Sequence, residues 1–310
     1  MKHPLFVPVL AGVLAWTLAG PAAAGAQQAG ATADSQTTVQ RPQVAAHRGG
    51  AMHRPENTLA AFAHAHVLGV DMLELDLVMT ADDQLVVYHD ATINPGICRH
   101  QPGQPALAGP VRRFTLAQLQ QLDCGSTVRA VYGVPGFQPV PGQRMPTLEA
   151  VLAAFADTHL QFFVETKMPA PSPGVADVDP QRFARAIDGL VRRYGLETRF
   201  ILQSKDARPL LAMAGINPAI RTCLYGESVL QSTDVAATLA RNQATCTLLP
   251  AGHTSAEAVA ALQAQGILVF SEVVDDPAGW QRYLQLGSDV LITNHPQGTL
   301  QYLQAPASAH

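Results

Sequence analysis

The sequence predicts an α/β protein, a (β/α)8 TIM barrel with one antiparallel hairpin return after its second strand and an insertion at its rim. Three observations carry this. From residue 43 onward, short apolar runs alternate with helical patterns, as expected of parallel strands joined by helical crossovers. The apolar runs lack polar alternation, so both faces of the sheet are covered. Nine such runs are one too many for the barrel, but only residues 80–84 separate the second from the third. That is too short for a parallel crossover, so the third run folds back antiparallel and eight parallel strands remain.

The elements follow in order. Val44–His47 is the first strand, and Thr58–Leu68 the first helix. Met72–Val78 and Leu85–His89 form the hairpin about Asp82-Asp83. A turn centred there pairs positions whose numbers sum to about 165, which sets His89 opposite Asp76. Residues 92–146 are rich in Gly and Pro with one clear helix, Leu116–Leu122, and read as the rim insertion. Strands then follow at Gln161–Glu165, Phe200–Gln203, Ala219–Leu224, Thr245–Leu249, Ile267–Phe270 and Asp289–Thr293. The helical patterns between them are Thr147–Ala156, Pro180–Tyr194, Ala207–Ala214, Ala256–Gln265 and Pro277–Leu286. Gly69, Gly195, Gly215, Gly266 and Gly287 stand where helix C-caps want a left-handed residue. A barrel of this kind carries its active site at the C-terminal ends of the strands.

Residues 1–26 read as a signal peptide, with Lys2 and His3 before an apolar stretch from Leu5 to Leu18 and small residues up to Ala26. The stretch is shorter than the roughly 20 residues of a membrane-spanning helix. Export to the periplasm or the medium, without stable membrane insertion, is the expectation. Residues 27–42 are polar and read as a flexible leader, and 43–304 as one domain. Hydrophobic residues make up 47% of the chain, enough for a large core. The net charge is −4 and there is no basic tract, which argues against nucleic acid and anionic membrane surfaces as partners. Nothing in the pattern sets an oligomeric state. Four cysteines in an exported chain imply disulfides, and Cys98–Cys124 with Cys223–Cys246 is favoured because each pair closes a short loop. No C-x-x-C spacing points to metal ligation by these thiols.

The chemistry concentrates between Val44 and Asp90. His47-Arg48 ends the first strand, Glu74 and Asp76 lie two apart on the second, and His89-Asp90 ends the third. Residues i and i+2 of a strand share a face, so the two carboxylates point one way and Leu73, Leu75 and Leu77 the other. Carboxylates among apolar neighbours need a compensating charge, and a hard divalent cation bound through oxygen suits them. The histidines supply the side chains that titrate near neutrality. Glu165 and Lys167 end the fourth run and Asn294 follows the last, so residues scattered over some 250 positions converge on one rim. The pattern implies metal-assisted acid–base chemistry on an anionic substrate. His53, His64 and His66 read as surface or packing residues, Asp90 as a group that orients the hairpin or His89, and Asp275-Asp276-Pro277 as a helix N-cap only. Asn94 and Glu272 fall near the expected pocket without a pattern that assigns them a role.

These residues resemble the glycerophosphodiester phosphodiesterase family. The matching pieces are AHRG (46–49), PENT (55–58), Glu74-x-Asp76, T-x-D-x-x-L-V-V-x-H-D (80–90), ETK (165–167) and ITNHP (292–296), all in order over roughly residues 44–300. The resemblance implies a (β/α)8 barrel that cleaves small glycerophosphodiesters to glycerol 3-phosphate and an alcohol with one divalent cation, Ca²⁺ or Mg²⁺. It implies His47 and His89 as general base and acid, Glu74, Asp76 and Glu165 as metal ligands, and Arg48 and Lys167 as phosphate contacts. The chain departs from the family's usual pattern at Ser271-Glu272-Val273, at Thr293-Asn294 where Thr-Asp is usual, and at Lys205 where an aromatic is common. These departures bear on the contacts to the substrate's alcohol or glycerol rather than on diester hydrolysis.

Three other readings compete. One is phospholipase D-like cleavage of lysophospholipids or another phosphodiester by the same residues. A glycosidase using Glu74 and Glu165 would leave His47, Arg48 and His89 idle, and 6% aromatic residues is low for stacking on sugars. A non-catalytic binding protein would be missing an acid, a base or a ligand, and none is missing.

Overall fold

Nine strands form one sheet in this computed structural model, which describes residues 41–128, 136–168 and 173–305. They are β1 (Gln43–Ala46), β2 (Met72–Met79), β3 (Leu85–Val87), β4 (Gln161–Thr166), β5 (Phe200–Ser204), β6 (Arg221–Leu224), β7 (Cys246–Leu248), β8 (Leu268–Val273) and β9 (Val290–Thr293). Eight run parallel, and β1 closes the ring by pairing with both β9 and β2. The expected signal peptide and leader lie outside the described residues up to residue 40.

β2 is the longest strand, and its length explains the hairpin. Its first part pairs with β1 and β4, while Leu77–Met79 pair antiparallel with β3. The pairs Leu77–Val87 and Met79–Leu85 sum to 164, one less than expected. Tyr88, not His89, therefore lies opposite Asp76, and the Tyr88 amide donates to the Asp76 carbonyl at 2.9 Å. Asp83 makes the turn in the left-handed region (φ 57°) and is held by Arg112 and Arg182 at 2.6 and 2.7 Å. His89 falls just past the strand and is freed from its alternation.

The described residues form ten α-helices, α2 in the rim insertion and the others around the ring: α1 (Leu59–Leu68), α2 (Leu116–Leu119), α3 (Leu148–Phe155), α4 (Pro180–Arg193), α5 (Ala207–Ile216), α6 (Glu227–Leu230), α7 (Val235–Arg241), α8 (Ala256–Gln263), α9 (Pro277–Leu286) and α10 (Pro296–Gln304). Their starts are written in the chain. Thr58, Thr147, Asp179, Asp206, Asp234, Ser255 and Asp276 each accept a backbone N–H of the first turn. Gly69 and Gly287 are left-handed C-caps as expected. Gly215 is not: it lies inside α5, which runs on to Ile216, and the Asn217 amide closes the end on the Met213 carbonyl. α6, α7 and α10 were not legible as periodic patterns, since two of them are only four and seven residues long.

Alternation along the strands sorts the core. Leu73, Leu75 and Leu77 face the helices, beside Phe62, Phe162 and Val164. Met72, Phe163, Ile201, Phe270 and Ile292 fill the barrel's interior, with Phe163 and Phe270 stacked at 4.4 Å. The rim insertion has its own small core about Tyr88, Ile97, Val111 and Leu119.

Both favoured disulfides are formed. Cys98–Cys124 ties the insertion together and Cys223–Cys246 joins β6 to β7 inside the barrel. Chain-entropy constraint across a separation of 26 residues is worth about 3 kcal/mol. The Cys98→Ala/Cys124→Ala variant is expected to lose stability of that order in chemical unfolding, with the barrel's far-UV signal intact.

Candidate active site

The barrel floor of apolar side chains ends in a layer of polar ones. Asp76 on β2 is in register with Glu165 on β4, which is in register with Gln203 on β5. Glu74 enters the same interior two residues before Asp76. All three carboxylates are buried, and one oxygen of each lies within 4.8 Å of the others. Glu74 is fixed by the Arg48 amide at 2.9 Å and the Gln203 side-chain amide at 3.1 Å. Asp76 Oδ2 accepts from Asn57 Nδ2 at 2.8 Å, and its Oδ1 is ion-paired with Lys167 Nζ at 2.9 Å.

The tight turn after β1 makes this possible. Arg48, Gly49 and Gly50 all take positive φ, so the chain doubles back and aims the Arg48 amide into the barrel. A Cβ on Gly49 would meet the Ala61 side chain at 2.7 Å, so only glycine fits there. The PENT stretch then serves three purposes. Glu56 accepts from Arg48 Nη1 at 2.8 Å, Asn57 reaches Asp76, and Thr58 caps α1.

Electrostatics divide the cluster. Burial, reinforced by Asp76, pushes Glu74 well above the usual carboxylate range. Burial also works against the charge on Asp76, but Lys167 and Arg48 outweigh it and hold Asp76 below its ordinary value. Lys167 is raised: burial opposes its charge, and Asp76 and Glu165, the latter at 2.6 Å, overcome that. Arg48 and Lys167, expected on a phosphate, thus border the same carboxylates, with Arg48 Nε 3.3 Å from Asp76. Tyr225, which the sequence did not single out, is a further neighbour of the cluster, and its hydroxyl is pushed up by burial and by Glu165.

The two histidines stand on opposite kinds of partner. His47, only 15% exposed, has Nδ1 2.7 Å from Asn294 Oδ1 and Nε2 4.0 Å from Glu74. Burial, with Arg48 beside it, lowers it to about 4, so the ring is neutral at physiological pH. His89 has Nδ1 2.6 Å from the Asp90 carboxylate, whose other oxygen accepts from Asn94 at 2.8 Å. Asp90 therefore orients His89, and Asn94 reaches the site through Asp90. Asp276 caps α9 as expected, but the N-cap reading of the Asp275-Asp276-Pro277 run was incomplete. Asp275 turns instead to Thr293, the last residue of β9, and to Asn294 just past it. His53 packs against both His64 and His295, and it is lowered to about 4 by burial and by these two neighbours.

The residues present fit a divalent metal. The donors are all carboxylate oxygens, the chemistry preferred by hard cations, and the three buried carboxylates outnumber the two cations, Lys167 and Arg48, that border them. Fold and site together define a barrel enzyme with a buried acidic cluster that could hold a hard cation.

The chain belongs to the glycerophosphoryl diester phosphodiesterase family, whose model matches residues 47–298. A glycerophosphodiester phosphodiesterase of Bacillus subtilis (strain 168) is 28% identical over 253 residues, covering 81% of this chain and 83% of that one. Another, from Caldanaerobacter subterraneus subsp. tengcongensis, is 28% identical over 259 residues, covering 82% and 94%. An Oleispira antarctica phosphodiesterase, solved in complex with the product sn-glycerol-3-phosphate, superposes with a TM-score of 0.70 at 20% identity, covering 85% of this chain and 97% of that one. That last likeness speaks for the fold alone.

Proposed function

We propose that this protein hydrolyses glycerophosphodiesters to sn-glycerol 3-phosphate and an alcohol, in lipid and glycerol metabolism. The observation that carries the reading is the cluster of three buried carboxylates, with His47 Nε2 4.0 Å from Glu74 and His89 lining one pocket with Glu165 and Lys167. Glu74, Asp76 and Glu165 would hold one divalent cation, Ca²⁺ or Mg²⁺, which supplies positive charge against the phosphoryl oxygens. Arg48 and Lys167 add two further cations for the anionic transition state. His47, neutral and with its Nδ1 engaged, has Nε2 available to take the proton of the nucleophile, water or the substrate's own glycerol hydroxyl. His89 has a carboxylate against its Nδ1, which compensates an imidazolium that delivers its other proton to the departing alkoxide.

Release of glycerol 3-phosphate from glycerophosphocholine is the direct test. Turnover restored by Ca²⁺ or Mg²⁺ after EDTA is expected, and the metal that restores it identifies the cofactor. No release with either metal overturns the reading.

A second reading, cleavage of lysophospholipids, has one observation in its favour. A cleft of about 220 Å³ adjoins Lys167 and is walled by Val78, Met79, Pro110, Val111 and Val178. An acyl chain seated there would make kcat/KM rise with chain length across a lysophosphatidylcholine series. A flat or falling series restricts the enzyme to water-soluble diesters.

Export is part of the same proposal, with residues 1–26 as the signal peptide, 27–42 as the leader and 43–304 as the catalytic domain. Two disulfides accord with an oxidising compartment. Among the described residues no helix is long and apolar enough to cross a membrane.

A further inference from the structure

We infer that Asp275 is a positioning residue for catalysis, acting through Asn294 to set both the orientation of the His47 ring and the nitrogen that carries its proton. This rests on the reading of His47 as general base. The geometry is a chain of three side chains. Asp275 Oδ2 accepts from Asn294 Nδ2 at 2.8 Å, and Asn294 Oδ1 lies 2.7 Å from His47 Nδ1. Asp275 Oδ1 accepts from the Asn294 backbone amide at 2.6 Å and the Thr293 hydroxyl at 3.0 Å. Asn294 and Thr293 are buried.

Donor and acceptor rules leave one arrangement. An amide side chain can present either its oxygen or its nitrogen to a neighbour, so Asn294 alone does not choose. A carboxylate only accepts. Asp275 therefore turns the Asn294 nitrogen toward itself and the oxygen toward His47. Facing an acceptor, His47 Nδ1 must carry the hydrogen, and the lone pair is left on Nε2, the nitrogen nearer Glu74. That is the tautomer a base acting at the carboxylate cluster requires.

The arrangement also accounts for the departure at the closing motif. Where the resemblance leads one to expect Thr-Asp, this chain has Thr293-Asn294. A carboxylate is still present one side chain further back, at Asp275, with the amide interposed. The ring keeps an acceptor on Nδ1 without a full negative charge in contact with it.

An exchange of the two residues tests this. Asp275→Asn leaves two amides facing each other, with no group to fix Asn294. It is expected to lower kcat roughly 10–100-fold, the usual cost of losing an orienting partner, with KM and metal binding little changed. Asn294→Asp sets two carboxylates against each other and should fare as badly. The double variant Asp275→Asn/Asn294→Asp again gives one carboxylate and one amide, with an acceptor on His47 Nδ1. It is expected to recover kcat to within about threefold of the parent, by the same orienting argument. The ¹⁵N shifts of His47 should report Nδ1–H in the parent and the double variant, and a mixture in Asp275→Asn. Unchanged kcat in a folded Asp275→Asn, or a folded double variant no better than the singles, overturns the inference. A purely structural role would lower Tm without moving the tautomer signal, and that also overturns it. If His47→Ala itself retains turnover, the base assignment fails instead, so the two failures are distinguishable.

Discussion

Replacing His47 by alanine is expected to lower kcat for glycerophosphocholine about 10²–10⁴-fold, the range for removing a general acid or base. The fold should survive. His47 lies in the turn after β1 rather than in the packed core, and its side chain makes a single strong hydrogen bond, to Asn294. The carboxylate cluster is held by other groups, namely the Arg48 amide, Gln203, Asn57 and Lys167. Metal affinity by calorimetry should accordingly stay near the parent's. His89→Ala is expected to give a similar loss for a natural alcohol. The loss should be smaller for an activated leaving group such as a nitrophenolate, which departs without a proton. His47→Ala should be equally poor on both. Retained turnover in either variant on the natural diester removes that histidine from the mechanism.

Glu74→Gln is expected to separate stability from function. The folded protein holds the Glu74 proton more tightly than the ordinary carboxylate does, because burial and then Asp76 disfavour the charge. The sign follows. Stability from the protonated form is complete below the unfolded value near 4.5 and is lost as pH rises through the raised folded value. At neutral pH, above the unfolded value, the metal-free fold carries the cost of that shift. Glutamine removes that burden, and the Gln203 amide can rotate to offer its oxygen to the new nitrogen. The metal-free variant should melt higher at pH 7 by the order of 1 kcal/mol, roughly 2–4 °C for a chain of this size, with a flatter pH dependence. The same change removes a charged oxygen from the metal site. The rise in Tm that Ca²⁺ or Mg²⁺ gives the parent should nearly vanish, and activity with it. A lower metal-free Tm at pH 7, or an undiminished metal-induced shift, would refute the assignment of Glu74 as a strained ligand.

Much of the fold was legible because it rests on local patterns. Apolar runs alternating with helical ones specify parallel strands, and the five residues between Met79 and Leu85 can only close a hairpin. Helix starts were legible through Thr58, Thr147 and Asp276, whose side chains cap backbone amides within a few residues. Glu74, Asp76 and Glu165 were legible as members of one carboxylate cluster because a charge on the inner face of an apolar strand has few other uses. Shorter pieces were not. α6 and α7 offer too few turns for a period to emerge, and the left-handed cap expected at Gly215 failed because Met213 and Ile216 carry the helix past it.

The chain by itself determined which side chains face the barrel's interior, because strand alternation is a property of the backbone that needs no partner. It determined the disulfide pairing as well, through short loops between neighbouring strands and turns. Register was left to tertiary structure. A hairpin read from its turn is uncertain by one residue, and one residue was the difference between His89 and Tyr88 opposite Asp76. The partners that tune the chemistry were likewise left open. Gln203 on Glu74 and Asn294 on His47 join residues 129 and 247 positions apart, and Asp275 reaches His47 only through Asn294. A hydrogen bond is made within about 3 Å, whereas the sequence specifies only which strands adjoin. Closure of the barrel brings such atoms to bonding distance, and with it decides which nitrogen of His47 is left to act.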